Sequence, residues 1–372
     1  MAPPSDLPIV LYHYEQSPYA RRLIWYLNLR KIPYSQCIQP RIMPRPDVAL
    51  LGISYRRIPI LSIGRDVYLD TRLILQKLEA LFPPSASHPG ISSAHAASSS
   101  SAASIAPPGI GAEHTALEQL LSARAIDGAL FNRGAQCFPP GAFSADPAFA
   151  RDRAALFGVD VDRPGAASPF APDVVRRQRP EALAAVRAYV CWLEDGLLAD
   201  GRRWILDSNA GGGGPSLADI EAGWVLHWVS GVPGALPAEV LGPESAPRVH
   251  AWLGRFRDAV REAGESGVPK PPPSLKGEEA AAAIVGAAFA EPEGTILGED
   301  PIVAAEGLRK GEPVEMWPAD YGSSHRDSGS LLVIDRTEFV IEARGKFGSV
   351  RVHAPRHGFK IARRGSGAAS KI

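Results

Sequence analysis

Three short motifs near the start of the chain carry residues that could bind a small polar ligand. Ser17 lies where a β-prone run gives way to a helical pattern, Ile58-Pro59 opens a second β-prone run, and Asp70-Thr71 opens another helix. A helix start presents unpaired N–H groups and a partial positive charge, which favour an anion, and a serine or threonine hydroxyl adds a donor. A proline at a strand start typically serves a turn or a cis bond. These residues are therefore candidates to hold an anionic group, although each is also typical of an ordinary helix cap or strand start.

The elements that must position these residues follow from the pattern of apolar residues. Residues 8–13 are a short apolar run, and the stretch after Ser17 has apolar residues at helical spacing. Further short runs lie around Tyr34 and on both sides of Gly64-Arg65, and a helix spans 71–82 before Pro83. The order predicts a βαβ unit, then a β-hairpin, then a helix.

The remainder of the chain divides by composition. Residues rich in Ser, Ala, Pro and Gly separate the N-terminal part from a region of helical periodicity, and a Pro-rich break precedes one helix and several β-prone runs typical of an antiparallel meander. A length of 372 residues favours two or three domains. We predict an α/β domain at 1–83, a linker or insertion at 84–112, an all-helical domain at 113–265, and a helix with a small β-rich domain at 274–372.

Charge gives little indication of a large anionic partner. The chain has 40 basic and 40 acidic residues, so we expect neither nucleic acid nor a membrane surface as a partner. Arg21 and Arg22 are expected on a solvated helix face. Basic residues dominate after Arg336, where they could bind an anionic polymer or protect exposed strand edges. We favour protection, because no aromatic residues are placed there for base stacking.

Cysteine usage predicts a reducing compartment. Cys37, Cys137 and Cys191 are far apart and form neither a CxxC pair nor a zinc pattern, so we expect free thiols and no metal site. The chain starts without a secretory pattern, and no run reaches the ~20 apolar residues of a membrane-spanning helix. We therefore expect a cytoplasmic protein.

The run Ile58-Pro59 followed by Asp70-Thr71 resembles the N-terminal domain of the cytosolic glutathione transferases. The resemblance implies an α/β thioredoxin-like domain with a mixed four-stranded sheet, followed by an all-α domain, whereas the C-terminal β-rich domain has no counterpart in the standard family. It implies that Pro59 is cis and that the main chain of Ile58 pairs with the cysteinyl part of glutathione. Asp70 and Thr71 would then bind the γ-glutamyl carboxylate.

The same resemblance assigns a role to Ser17. Omega-like transferases place a catalytic cysteine at this position, and a serine there cannot form a mixed disulfide, so thiol-transferase chemistry is disfavoured. A serine can instead donate a hydrogen bond to the glutathione sulfur and favour the thiolate, as in the serine classes. Tyr12 and Tyr14 are alternatives, because other classes use a tyrosine hydroxyl from the end of the same strand.

Further candidates follow from ligand chemistry. Glutathione carries two carboxylates, and Arg45 and Arg57 are candidates to pair with them, since guanidinium binds carboxylate bidentately. In the helical region, Trp224 and Trp228 could line an apolar pocket for a second substrate, although such spacing is also typical of a core. Ser216 and Asp219 form a capping box similar to one in the second domain of the family.

The sequence leaves two functions open. The first is a glutathione transferase-like enzyme of the serine type that activates the glutathione thiol for conjugation to, or isomerisation of, a small apolar electrophile. The second is a non-catalytic transferase-fold protein that serves interaction or regulation and binds glutathione weakly or not at all. The family is usually dimeric, so the resemblance implies a homodimer.

Overall fold

Two β regions flank a helical region in the computed structural model, which describes residues 4–85, 87–91, 110–166, 168–206, 214–266 and 271–365. The predicted linker at 84–112 lies largely outside these residues. In the described part of the chain, no helix is long and apolar enough to cross a membrane.

The N-terminal region has the thioredoxin-like order expected from the sequence. Its elements are β1 (Ile9–His13), α1 (Pro18–Leu29), β2 (Ser35–Ile38), α2 (Pro46–Ala49), β3 (Ile60–Ile63), β4 (Asp66–Leu69) and α3 (Thr71–Leu81). β2 lies parallel to β1, and β3 and β4 run antiparallel to their neighbours in the order β2-β1-β3-β4. This arrangement is the predicted mixed four-stranded sheet.

Both faces of this sheet are covered, which explains why the strands are nearly continuous apolar runs. Side chains alternate along a strand, so Ile9 and Leu11 of β1 pack with the helical region, whereas Val10 and Tyr12 pack into a second core on the other face. All residues of β1 are buried. The second core is shared with the C-terminal region, which therefore covers a face of the N-terminal sheet.

The helical region is built around one buried helix. Its helices are α4 (Ile110–Ile126), α5 (Leu130–Gln136), α6 (Pro147–Leu156), α7 (Pro172–Trp192), α8 (Leu217–Ser230) and α9 (Pro247–Ser266), with a π-helical turn at Leu193–Leu197 after α7. At the start of α8, Asp219 accepts a hydrogen bond from the Ser216 N–H at 2.8 Å, as the predicted capping box requires, and a further one from the Ser216 hydroxyl at 2.6 Å. The same carboxylate accepts from Ile205 N–H and Trp252 Nε1, both at 2.8 Å, and so ties three segments together.

The C-terminal strands extend the N-terminal sheet. The elements are α10 (Gly277–Gly286), α11 (Pro301–Glu306), β5 (Pro313–Pro318), β6 (Asp327–Ile334), β7 (Glu338–Arg344), β8 (Ser349–Pro355) and β9 (Phe359–Arg363). β6, β7 and β8 pair in sequence as the predicted antiparallel meander, but its last predicted run, β9, pairs with β5 and not with β8. β8 pairs instead in parallel with β4, with Tyr68 opposite His353. The result is one nine-stranded sheet. The sequence indicated the C-terminal strands but not this continuity.

The C-terminal strands cannot lie flat. β9 pairs with β5, so β8 and β9 lie at opposite edges of the five strands β8-β7-β6-β5-β9. Five flat strands would separate these edges by about 19 Å. The chain from Pro355 to Phe359 spans at most about 14 Å. The five strands must therefore curl toward a partly closed barrel.

Candidate functional site

The three N-terminal motifs meet at one end of the sheet. Tyr12 lies opposite Ile60 in the antiparallel β1–β3 pair, and Ile60 lies opposite Leu69 in the β3–β4 pair. The end of β1, the start of β3 and the end of β4 are therefore neighbours. The candidate residues adjoin these strand ends: Ser17 follows β1, Ile58-Pro59 precedes β3, and Asp70-Thr71 follows β4. The sheet register therefore brings them to the same end of the sheet.

Ser17 is the N-cap of α1. Its Oγ accepts a hydrogen bond from the Ala20 N–H at 3.2 Å, and Pro18 occupies the first helical position. The residue is 2% exposed. The hydroxyl oxygen acts as an acceptor in the cap, so the hydroxyl proton is available for a hydrogen bond to a ligand. The arrangement combines an O–H donor with the positive end of the α1 dipole.

The Ile58-Pro59 peptide bond is cis, as the resemblance implies. Pro59 lies directly before β3, and Ile58 is buried against the second core. Among the described residues, neither the N–H nor the C=O of Ile58 has a main-chain hydrogen-bond partner. These two groups are therefore available to pair with a peptide-like ligand.

Asp70 caps α3. Its carboxylate accepts from the Arg72 N–H at 2.9 Å and from the Arg72 side chain, and Arg72 also reaches Asp127 at the end of the α4 region. Burial alone would raise the pKa of Asp70, but the charge and hydrogen bonds of Arg72 outweigh it and lower the pKa. Asp70 also has a φ of 67°, a backbone conformation that a non-glycine residue seldom adopts. The carboxylate is thus held charged beside the first turn of α3.

Arg22 is fully buried, so the expectation of a solvated face is wrong for this residue, although Arg21 is exposed. Its guanidinium donates to Thr71 Oγ1 at 2.7 Å, to Ser122 Oγ at 2.9 Å and to the Glu221 carboxylate. An arginine can be buried only with such partners. Because Thr71 accepts from Arg22, its hydroxyl proton points elsewhere and can be donated to a ligand.

Tyr12 cannot be the thiol-activating residue. It is fully buried in the second core, its hydroxyl has no partner among the described residues, and burial raises its pKa far above the ordinary value. Side-chain alternation along β1 explains this position, because Tyr12 points away from the face that α1 covers. Tyr14 is half-buried and packs at the margin of the same second core, with its ring 5.9 Å from the Arg45 guanidinium carbon.

The two predicted carboxylate-binding arginines have different surroundings. Arg45 is buried, and it donates to the carbonyls of Pro40 and Arg56. It therefore stabilises the loop before Pro59, and its predicted role in binding a ligand carboxylate is not supported. Burial lowers its pKa to about 10. Arg57 is partly exposed, and its neighbours lie in a C-terminal segment that the sequence did not connect with the site.

That segment is the connection between β5 and β6. Asp320 forms an ion pair with Arg57, and the Tyr321 carbonyl accepts from Arg57 Nε at 3.0 Å. Asn132 of α5 donates to the Tyr321 hydroxyl at 3.2 Å, and the Tyr321 ring lies edge-on to Phe157, with centroids 4.5 Å apart. The connection therefore links the loop before Pro59 to the helical region.

The two tryptophans of α8 differ in burial. Trp224 is a core residue, with its ring 4.7 Å from Tyr19 and 5.6 Å from Phe131, so its predicted role in lining a pocket is wrong. Trp228 is half-buried and stacks on Phe131 at 4.9 Å. Tyr19 and Phe131 are also half-buried, with ring centroids 4.8 Å apart. Tyr19, Phe131 and Trp228 therefore form a row of aromatic side chains that begins at the first turn of α1, and we call this row the aromatic wall. Sequence analysis did not identify Tyr19 and Phe131 as part of it.

A cluster at the β4–β8 junction has the residue types of a metal site. Glu291, Glu338 and His353 bring ligand atoms within 4.8 Å of one another in the described part of the chain. Lys77 Nζ already lies 2.6 Å from Glu291 and 2.7 Å from Glu338. The ammonium supplies the positive charge that a cation would bring, so we interpret the cluster as an ion-pair network.

Of the eight lysines and arginines between Arg336 and Arg364, four form ion pairs within the chain. Arg356 binds Asp300, Arg363 binds Glu312, and Lys346 binds Glu278. This pairing reduces the charge available to an anionic polymer, whereas the protection of strand edges stays a prediction.

Two family models match separate parts of the chain. The family model "Glutathione S-transferase, N-terminal domain" matches residues 11–86, and the model "Domain of unknown function (DUF7962)" matches residues 133–265. No curated protein sequence matches the chain.

Solved structures extend the comparison. A GST-like protein from Pseudomonas syringae superposes with a TM-score of 0.58 and 21% identity, covering 96% of this chain and 100% of that chain. The β-etherase LigF from Sphingobium sp. strain SYK-6 gives a TM-score of 0.45 and 17% identity, covering 70% of this chain and 100% of its own. Rice GST1 in complex with glutathione gives 0.44 and 17%, covering 75% and 96%. The first likeness includes the C-terminal β region and shows a common fold.

Proposed function

We propose that this chain, whose residues 11–86 form a glutathione S-transferase N-terminal domain within a GST-like fold, binds glutathione at the sheet end described above and activates its thiol. The observation that carries the proposal is the register that brings Ser17, Ile58-Pro59 and Asp70-Thr71 to one edge. Each group suits a different part of the tripeptide.

The proposed binding mode follows from donor and acceptor types. The Ile58 N–H and C=O pair with the cysteinyl main chain, as one strand pairs with another. The Thr71 hydroxyl and the first turn of α3 take the γ-glutamyl carboxylate. The resemblance assigns Asp70 to the same carboxylate, but because Asp70 is itself held charged it suits the adjacent ammonium group instead. Arg57 is then the remaining cation for the glycyl carboxylate. The Ser17 hydroxyl donates to the sulfur and favours the thiolate.

The second substrate is a small apolar electrophile in this proposal. The half-buried aromatic wall of Tyr19, Phe131 and Trp228 supports an apolar or aromatic molecule beside the thiol. Conjugation and isomerisation both begin with the same thiolate, so the proposal covers either reaction. A homodimer and a cytoplasmic location remain predictions.

The test is turnover with glutathione and a general aromatic electrophile. We expect Ser17→Ala to lower kcat/KM by about 10- to 100-fold, since a hydrogen bond to a charged group contributes about 1.5–3 kcal/mol. Ser17→Thr keeps the hydroxyl and the cap and should retain most activity. The pH at which bound glutathione shows thiolate absorbance should rise in Ser17→Ala. If Ser17→Ala has the activity and the thiolate titration of the wild type, the proposed role of Ser17 is contradicted.

A specific observation favours a second candidate, a non-catalytic protein for interaction or regulation. Ser17 is nearly buried, and a carboxylate of the same chain already pairs with Arg57. Binding of glutathione without turnover, unchanged by Ser17→Ala, would favour this candidate over the enzyme.

A further inference from the structure

The connection between β5 and β6, residues 319–326, lies against both other regions, and we name it the strap. The Ala319 N–H donates to the Gly358 carbonyl at 2.8 Å, and the Gly322 N–H donates to the Leu156 carbonyl of α6 at 3.0 Å. Gly322 has a φ of +78°, and a Cβ there would lie 3.1 Å from Arg56 Cγ. Only glycine fits this close approach comfortably, so the strap is seated beside the loop that leads to Pro59.

The strap accepts hydrogen bonds from part of the Arg57 guanidinium. Arg57 Nε donates to the Tyr321 carbonyl, and Nη2 donates to both this carbonyl and the Asp320 carboxylate. Arg57 Nη1 has no hydrogen-bond partner in the described ranges. The guanidinium is thus held along one edge and open along the other.

The guanidinium lies close to the proposed site. Arg57 directly precedes Ile58, whose main chain is the proposed partner of the cysteinyl part of glutathione. The Arg57 guanidinium therefore belongs to the residue next to the proposed peptide-binding position.

We propose that Asp320 is a specificity-determining residue, an internal carboxylate that competes with the glycyl carboxylate of glutathione for Arg57. The inference rests on the proposed function and adds a residue from the C-terminal region to the site. The Asp320 side chain is 53% exposed and that of Arg57 is 23% exposed, so the pair is accessible to an incoming anion. A ligand carboxylate at Nη1 gains the attraction of Arg57 but meets the repulsion of Asp320.

Removing the Asp320 charge isolates this competition. In Asp320→Asn the side-chain oxygen can still accept from Nη2, and the Tyr321 carbonyl still anchors the guanidinium. The ligand then meets an uncompensated cation. We expect glutathione to bind roughly three-fold more tightly or better, in keeping with the strength of partly exposed ion pairs.

The experiment is calorimetric titration of the full chain with two ligands: glutathione, and its glycyl ethyl ester, which lacks only the glycyl charge. The wild type is compared with Asp320→Asn and with Asp200→Asn, a control that removes the carboxylate of a similarly exposed Arg–Asp pair in the helical region. We expect Asp320→Asn to tighten binding of glutathione but not of the ester. Asp200→Asn should change neither affinity.

The outcomes separate this inference from the proposed function. If the wild type binds glutathione and Asp320→Asn binds it equally or more weakly, the role of Asp320 is overturned while the proposed function stands. Equal tightening for the ester also overturns it, because Arg57 would then not meet the glycyl carboxylate. If neither wild type nor variant binds glutathione, the proposed function fails and the inference fails with it.

Discussion

His353 Nε2 lies 3.0 Å from Asp66 Oδ1 across the line where β8 joins β4. On its other side, His353 Nδ1 lies 3.0 Å from Glu338. One imidazole thus joins a buried carboxylate of the N-terminal strands to one of the C-terminal strands. Burial alone would lower the pKa of His353, but the hydrogen bonds and charges of Asp66 and Glu338 raise it to about 9.

The first prediction is that this junction stabilises the whole sheet. His353→Ala leaves Asp66 and Glu338 without their shared partner, and breaking a buried charge pair costs about 3–5 kcal/mol. His353→Gln keeps one donor and should cost less. Urea unfolding measures both, with the exposed His357→Gln as the control, which should stay within about 0.5 kcal/mol of wild type. A small effect of His353→Ala would show that the junction contributes little.

The second prediction concerns alkaline pH. The folded-state pKa of His353 lies above the ordinary value of 6.5, so its stabilisation is complete below that pH and is lost as the pH rises toward about 9. A shift of this size corresponds to a free energy on the order of 3 kcal/mol. The difference in unfolding free energy between wild type and His353→Gln should therefore shrink between pH 6.5 and 9. A constant difference over this range would contradict a charged imidazole.

The third prediction concerns Asp327. One of its carboxylate oxygens accepts hydrogen bonds from the N–H groups of Ser54 and Tyr55, and the other has no partner among the described residues. Burial raises its pKa to about 7. The folded state then holds a proton more tightly than the unfolded state, so stability falls as pH rises from about 4 to 7.

Asp327→Asn should remove this fall, because the amide oxygen keeps both hydrogen bonds without a charge. At pH 8 the variant should be more stable than wild type by on the order of 2 kcal/mol, and at pH 4 the difference should be smaller. Thermal unfolding across this pH range provides the measurement. A variant that is less stable than wild type at pH 8 would contradict the assignment.

The fourth prediction concerns Arg22. Arg22→Met strands the Glu221 carboxylate in the core and should cost about 3–5 kcal/mol. The double variant Arg22→Met, Glu221→Gln removes both charges and should recover part of that loss. Arg21→Met, on the exposed neighbour, should change the unfolding free energy by no more than about 0.5 kcal/mol. Additive effects of the two core substitutions would argue against a direct pair.

The local motifs were predictable from sequence because each acts over a few residues. Ser17 and Asp70 cap the helices that follow them, and the apolar run of β1 becomes a strand buried on both faces. The role of Arg22 was not predictable, since a charged residue on a mixed helix ordinarily faces solvent. Its partner Glu221 is 199 residues away.

Long-range pairing explains the other differences. Asp66 and His353 are 287 residues apart, and nothing in either strand specifies that β4 and β8 become neighbours. Asp320 reaches Arg57 across 263 residues for the same reason. Periodicity identifies which segments form strands, but the order of strands in a sheet depends on contacts that no local pattern contains.

The most direct test of the account is titration of the purified full chain with glutathione by isothermal calorimetry. The account predicts one binding site per chain, with saturable heat and an affinity that falls when Thr71 is replaced by Val, which removes the hydroxyl while keeping the side-chain volume. Absence of heat at millimolar glutathione, or an affinity unchanged by Thr71→Val, would contradict a tripeptide site at this end of the sheet.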